Sequence, residues 1–446
     1  MMMWRQSTAW VALLAGLYLG VLPMSGTIAL RSVVSVVLLI FVVKGLARNW
    51  RDLHLGVPVL LWAIYLVLFP VFAADHAVAW QSFFGQWMRG LLAMLMGAGV
   101  AVFLAEEDRK EDALFIFGLA STAPLLIHLG YLAIAAWNTS SIPWGNWGRE
   151  MHHADLGYAA GQAILLLSVV VAAGSPKFRW WSIALVMLSL LSVLLARSRA
   201  GLLFGLLACV LPLGVTYMKV DQRQRRRTVW VLAGAVVLAG FALAMAVKID
   251  PRWQRTIAQM ASAWSGDAVQ IICRGEGAPE PTPVPDSGTD DAPQVTSRAF
   301  AGDGSRMVLL RVGFELALEH PWGLDGSRQA YQKRLQQVCP NPAFFMAHTH
   351  IGWLDTVLAL GWIGAALYLW VLLHFLRVGY TYLRTGQTVN PWALVLIAAS
   401  LFWILRGLTD SVFRDHMLEM QGFLLAYAAV TLRYKGERST WGAGLP

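Results

Sequence analysis

Long apolar runs follow one another along this chain, each near the ~20 residues an α-helix needs to cross a hydrocarbon layer about 30 Å thick. They extend roughly over Ala9–Pro23, Thr27–Val43, Leu55–Ala73, Gly90–Leu104, Ala113–Ala136, Leu156–Ala173, Trp181–Ala196, Ala200–Met218, Val229–Val247, Ile351–Leu376, Trp392–Ile404 and Gly422–Leu432. A soluble core could not absorb so many. Apolar side chains make up 57% of the 446 residues and charged ones 14%, against about 25% charged in ordinary globular chains. Within a bilayer every backbone N–H and C=O must be satisfied inside the protein, and runs of this length satisfy theirs as helices. The sequence predicts an all-α polytopic membrane protein with about twelve transmembrane helices. Disorder, secretion and a soluble enzyme core are excluded. A mean hydropathy of +0.56 and 21 Trp with 11 Tyr agree, since amphipathic rings settle at headgroup level.

The first run is short and basic-flanked like a signal peptide. A second follows within a few residues with no convincing small-residue cleavage site between, so it reads as a retained helix. A net charge of +9 would suggest nucleic acid in a soluble protein, but the Lys and Arg lie mostly in short loops, so the expected partner is the bilayer and not nucleic acid. With a cytoplasmic N-terminus, 18 basic residues fall in inner segments and 7 in short outer ones, the bias that the positive-inside rule selects. All seven short outer basic residues are Arg: Arg31, Arg89, Arg149, Arg197, Arg199, Arg406 and Arg414. Guanidinium forks suit bidentate phosphate recognition, which suggests an anionic ligand on that face, although Arg also snorkels well.

Three regions follow: helices one to nine over 1–247, an outer segment over 248–350, and helices ten to twelve with a short cytoplasmic tail over 351–446. Within the outer segment, Asp250 to Ala263 reads as an interfacial helix with Pro in its first turn. The stretch 276–304 is rich in Pro, Gly and Asp and too poor in large aliphatics to order itself. Ser305 to Glu319 has helical spacing with Ser305 able to cap it and Pro321 with Gly323 ending it, and Arg328 to Val338 forms a second short helix. Cys209 sits in a span, whereas Cys273 and Cys339 share the outer segment, where an oxidising exterior favours a disulfide between them; two unpaired thiols are the alternative.

Four constellations could carry chemistry. In the turn Leu195 to Gly201, Arg197 and Arg199 stand where the positive-inside rule disfavours them, and a phosphate at a helix N-terminus served by Ser198, Arg199 and free N–H groups near Gly201 would account for that. They could instead snorkel to headgroup phosphates. His348 and His350 begin the tenth span together with Asp355; the positive helix end disfavours imidazolium and keeps a neutral base available. Such a pair could also hold metal, but no Asp-x-Asp occurs to complete a site, and His152, His153 and Asp155 are too weak a pattern, so no metal is expected. Arg306 and Arg311, five residues apart, lie on different faces of one helix, so only one points into a cleft. Arg406, Asp410, Arg414, Asp415 and His416 read most simply as a local salt-bridged turn.

Ser198-Arg199-Ala200-Gly201 resembles the Ser-Arg-Gly turn of the O-antigen ligase and polymerase superfamily. Ser305-Arg306, then Pro321-Trp322-Gly323-Leu324-Asp325-Gly326 and Tyr331, are similar to its Arg, Pro-x-x-Gly-x-Gly and Tyr pattern. His350, Leu354 and Gly361-Trp362-Ile363-Gly364 resemble its closing His-Asn, Leu and Gly-x-x-Gly signature, with Ile351 in place of Asn. The motifs run from Leu195 to Gly364. The resemblance implies a glycosyltransferase-C-like fold and transfer of O-antigen polysaccharide from undecaprenyl pyrophosphate to the lipid A core, on the periplasmic face of a bacterial inner membrane. It implies no cofactor and inversion in one displacement. Arg199 and Arg306 would clamp the pyrophosphate with help from Arg197 and Ser198. His350, or His348 if the register is two residues out, would be the base. Arg311, Tyr331 and Asp355 are possible supporting residues. O-antigen polymerase, protein O-oligosaccharyltransferase and lipid-linked-glycan transport are the alternatives; a transporter would place ionisable groups near the bilayer midplane.

Overall fold

The computed structural model describes residues 2–24, 26–49, 55–105, 110–146, 153–217, 272–273, 303–340, 347–386 and 388–441, with isolated positions between 230 and 248. Among the described residues there are helices and no strand. In chain order the principal helices are α1 (Met2–Val21), α2 (Ile28–Asn49), α3 (Val57–Phe72), α4 (His76–Ser82), α5 (Met88–Ala105), α6 (Lys110–Ser121), α7 (Ala123–Thr139) and α8 (His153–Ala173). They continue as α9 (Arg179–Leu195), α10 (Arg199–Tyr217), α11 (Asp303–Glu319), α12 (Ala330–Val338), α13 (Gly352–Thr385), α14 (Pro391–Arg406) and α15 (Asp415–Trp441).

Apart from the ninth, the expected apolar runs fall in helices, Ala113–Ala136 being divided between α6 and α7. Of the ninth, only scattered positions between 230 and 248 are described, and they are helical. Among the described residues six stretches are long and apolar enough to cross a membrane, and four shorter apolar helices accompany them. The chain is a multi-pass membrane protein. The interfacial helix expected over Asp250 to Ala263 lies outside the described residues. So does the stretch 276–304, except that Asp303 and Gly304 already open α11. Ser305 therefore lies in the first turn of α11 instead of capping it. The next helix starts at Ala330 and not Arg328, because Asp325 folds the preceding residues into a turn, accepting from the Ser327 N–H at 3.0 Å and the Lys333 ammonium at 2.6 Å.

Hydrophobic burial cannot drive one helix onto another inside lipid, so small residues and interhelical hydrogen bonds hold such a bundle. Here α15 runs along α5 through Gly97 against the Phe423 carbonyl and Gly422 against that of Gly90. Buried polar pairs fix the rotation of the helices: Tyr18 donates to Glu419 at 2.8 Å, Tyr368 to Gln421 at 2.7 Å, and Gln162 to Ser121 at 2.9 Å.

One helix is broken where the site is built. Gly361, inside α13, has φ 76, which only glycine adopts readily. The loop Pro321–Gly326 fills the break. Its Leu324 and Gly326 N–H groups donate to the carbonyls of Leu358 and Ala359 at 2.9 and 3.0 Å, and the Tyr65 hydroxyl donates to that of Leu360 at 2.5 Å. The freed Trp362 N–H reaches the Pro321 carbonyl at 3.0 Å. A side chain at Gly361 would meet the Trp322 backbone at 2.5 Å. Non-helical backbone at this depth is tolerated because each freed group named here has a partner. From the other side, the π-turn Phe83–Trp87 between α4 and α5 aims the Trp87 indole at the Gly326 carbonyl, 2.9 Å away.

Candidate functional site

Four segments converge at the N-terminal end of α8. The first is the turn between α9 and α10. Ala196 closes α9, Arg197 takes the left-handed conformation at φ 51, and the N–H groups of Arg197 and Ser198 donate back to Leu194 and Val193, both at 3.0 Å. Ser198 is buried, and its carbonyl accepts the first bond of α10 from Leu202 at 2.8 Å. Gly157 of α8 and Gly201 of α10 touch so closely that a Cβ on Gly201 would lie 2.8 Å from the Gly157 Cα and 2.7 Å from the Ser198 hydroxyl oxygen. Arg199 is the first residue of α10 and Arg197 projects from the turn, its stem beside Gly145.

The second and third segments are the loops 347–351 and 407–414, laced together. Gly352 N–H donates to the Asp410 carbonyl at 2.9 Å, and Trp353 N–H to that of Gly407 at 3.3 Å. Asp355, in the first turn of α13, accepts at Oδ1 from the Thr349 N–H at 2.9 Å and the Thr349 hydroxyl at 2.7 Å, while its Oδ2 is hydrogen-bonded to the Ser411 hydroxyl. Ser411 Oγ is also 3.0 Å from Nδ1 of His348. The rings of His348 and His350 meet edge to face at 4.1 Å, and His350 has φ 61, a conformation that non-glycine residues adopt mainly where surroundings impose it.

The fourth segment is α11, which brings Arg306 near enough to act electrostatically on both His348 and Asp410. Burial pulls the His348 imidazole down to about 2, with Arg414, His350 and Arg306 adding to the shift and Asp410 opposing it. Burial would raise Asp410, but the Arg406 cation, the Tyr158 hydroxyl, His350 and Arg306 together hold its carboxyl below the usual range. Arg406 is fully buried, 3.1 Å from Asp410 and over the faces of Tyr158 and Phe204 at 5.0 and 4.7 Å. Asp155 meets His416 at 3.6 Å. The first two turns of α8 thus join the Arg199 turn to the histidine loops.

Of the residues singled out from sequence, His348, His350, Asp355 and Arg306 come together. The turn holding Ser198, Arg197 and Arg199 packs on Gly157 of α8, one residue before the Tyr158 that bonds Asp410. Tyr331 is buried on α12 with its hydroxyl unbonded, its phenol pushed up by burial and by Asp355. Arg311 lies five residues on from Arg306 along α11. Cys273 and Cys339 are joined, Cα atoms 5.5 Å apart, and Cys209 is free. Among the described residues no group of three His, Cys, Asp or Glu is placed so that it could hold a metal ion. The cluster Arg406 to His416 does contain the local ion pair its spacing suggests, but it also closes over the histidines. Asp410, Ser411 and Arg414 therefore belong to the site; the sequence reading names Asp410 and Arg414 only as parts of a local turn and does not name Ser411, whose partners His348 and Asp355 lie 63 and 56 residues back.

Residues 184–369, rather less than half of the chain, match the family described as O-Antigen ligase. That stretch contains the Ser198 turn, Arg306, the Pro321–Gly326 loop, both histidines and Gly361, so the resemblance drawn from those motifs holds over it. No curated protein matches the chain.

Proposed function

We propose that this protein is an O-antigen ligase, moving O-antigen polysaccharide from undecaprenyl pyrophosphate to the lipid A core on the periplasmic face of a bacterial inner membrane. The observation that carries the reading is the meeting of Arg306 with the partly buried His348–His350 loop at the end of a helix bundle, within the stretch similar to that family. An amphiphilic diphosphate donor needs cations at headgroup height and a base beside them. The acceptor sugar hydroxyl attacks the anomeric carbon, the bond to the diphosphate oxygen breaks with its electron pair on the leaving group, and the hydroxyl proton goes to the His350 imidazole. Arg306 and Arg199 take up the developing negative charge. Inversion follows from a single displacement.

The assay is transfer by the purified chain in nanodiscs, given lipid-linked polymer and lipid A-core, together with lipopolysaccharide banding in a deletion strain. Undecorated core with accumulating lipid-linked polymer supports ligation. Decoration with a single repeat supports an O-antigen polymerase working on the same donor, and unchanged lipopolysaccharide removes both.

A further inference from the structure

A helix ends with four carbonyls that have no partner inside it, and those of α9 stand directly under the Arg197–Arg199 turn. Three are satisfied from within the turn: Ser192 accepts from the Ala196 N–H, and Val193 and Leu194 from those of Ser198 and Arg197, all at 3.0 Å. The fourth is satisfied from elsewhere in the chain. The Leu195 carbonyl accepts the Gly145 N–H at 2.9 Å, from a strap, 140–146, that follows α7. Gly145 has φ 76, and a Cβ built on it would stand 3.4 Å from Cδ of Arg197. The strap therefore lies along the stem of that arginine.

One side chain anchors the strap. His128 of α7 is fully buried, with Nε2 2.9 Å from the Asn146 carbonyl and Nδ1 2.9 Å from the Ser192 hydroxyl of α9. A carbonyl oxygen only accepts, so Nε2 carries a hydrogen and donates it to the strap. The ring thus ties the strap to the last turn of α9, and both of its nitrogens are used in doing so. Asn146 follows Gly145, so this bond sets where the Gly145 N–H and the Arg197 stem meet.

We propose that His128 is a positioning residue for the donor's diphosphate: by holding the strap 140–146 against the end of α9 it fixes the direction of Arg197, an exposed cation of the turn. The proposal rests on the function above and adds Arg197 to the groups that bind the diphosphate. Without the strap the turn keeps its three internal bonds and Arg197 keeps its charge, but the surface under its apolar stem is gone. A long side chain so released samples many rotamers, and ordering it again weakens its contribution to binding. The loss falls on holding the donor and not on the chemical step, which belongs to His350 and Arg306.

The test measures donor KM and kcat separately, together with melting temperature, for the full chain in nanodiscs and for His128→Ala, His128→Asn, His128→Gln, Arg197→Ala and the double variant His128→Ala/Arg197→Ala. Gln carries an amide N–H where Nε2 stands and keeps the link to the strap. Asn reaches only to the place of Nδ1 and keeps the link to α9 alone. His128→Ala and His128→Asn are expected to raise donor KM about tenfold, the worth of one hydrogen bond to a charged group, with kcat within about twofold of wild type. His128→Gln should stay near wild type, and His128→Ala should add nothing once Arg197 is gone. Should His128→Ala fail to fold, His128→Asn, with its bond to Ser192 intact, carries the comparison with His128→Gln. The proposal is overturned if kcat falls while KM holds, if folded His128→Gln is as impaired as His128→Asn, or if the losses at His128 and Arg197 multiply. Binding of inorganic diphosphate gives a readout without transfer, weakening several-fold in His128→Asn and in Arg197→Ala. A wild-type chain that shows this pattern but transfers no glycan overturns the functional reading and leaves this one standing. A chain that transfers, but binds diphosphate equally well as His128→Asn, overturns this one alone.

Discussion

The turn between α9 and α10 and the paired loops 347–351 and 407–414 stand at the same end of α8 but are held by different means. The turn is fixed by its own backbone, through bonds from Arg197 and Ser198 to residues three and five positions back and a glycine contact at Gly157 and Gly201. The loops are fixed by side chains that reach across the sequence, from Ser411 to Asp355 and His348 and from Tyr158 to Asp410. A backbone-held turn fails by losing its fold. A side-chain-held loop fails by losing the placement of its functional groups while the helices around it stay packed.

The largest expected effect lies in the loops. His350→Ala removes the proposed proton acceptor, worth about 10²–10⁴-fold, and transfer by the purified variant should fall by that much with its melting temperature unchanged. A variant that melts early would instead mean that the left-handed backbone at His350 is structural. Next come the guanidinium groups on either side of the comparison. Arg306→Lys and Arg199→Lys keep the charge but lose the bidentate fork, and each should lower kcat about 10²-fold; full activity in Arg199→Lys would remove the turn from the site. The turn itself is probed by Gly201→Ala, whose Cβ would press on the Gly157 Cα at 2.8 Å. Overpacking of this kind costs about 1–3 kcal/mol, so thermal unfolding in nanodiscs should move down. An unchanged transition would show that α8 and α10 can separate freely. The smallest effect is expected at Arg328→Ala, which breaks a pair to Asp415 whose Arg side chain is 55% exposed; exposed pairs contribute about 0–1 kcal/mol, and neither stability nor transfer should change measurably.

The same contrast explains what could be read from sequence. The helices are legible because each apolar run carries its own evidence, and Ser198 to Gly201 is legible because consecutive residues make the turn. Ile351–Leu376 reads as one uninterrupted span, yet φ at Gly361 breaks it, since the groups that satisfy the break come from Pro321 to Gly326 and from Tyr65. No local pattern contains that information. Arg406 to His416 reads as a salt-bridged turn, and the Arg406–Asp410 pair is there. Its second task, closing over His348, depends on contacts 56 and 63 residues away in sequence.

The filled break in α13 also governs how Arg306 can move. Glu319, at the end of α11, is separated by one residue from the Pro321–Gly326 loop, and that loop is bonded on one side to Leu358 and Ala359 and on the other to Trp87. The far end of α11 therefore behaves as a clamped beam and not as a hinge. A donor lipid entering beside Arg306, as the proposed function requires, cannot swing the helix aside from this end, so compliance has to come from the other end of α11. Inserting one residue within α11 between Arg306 and Glu319 would rotate Arg306 by about 100° relative to the clamped end and carry the guanidinium away from the histidines without touching either.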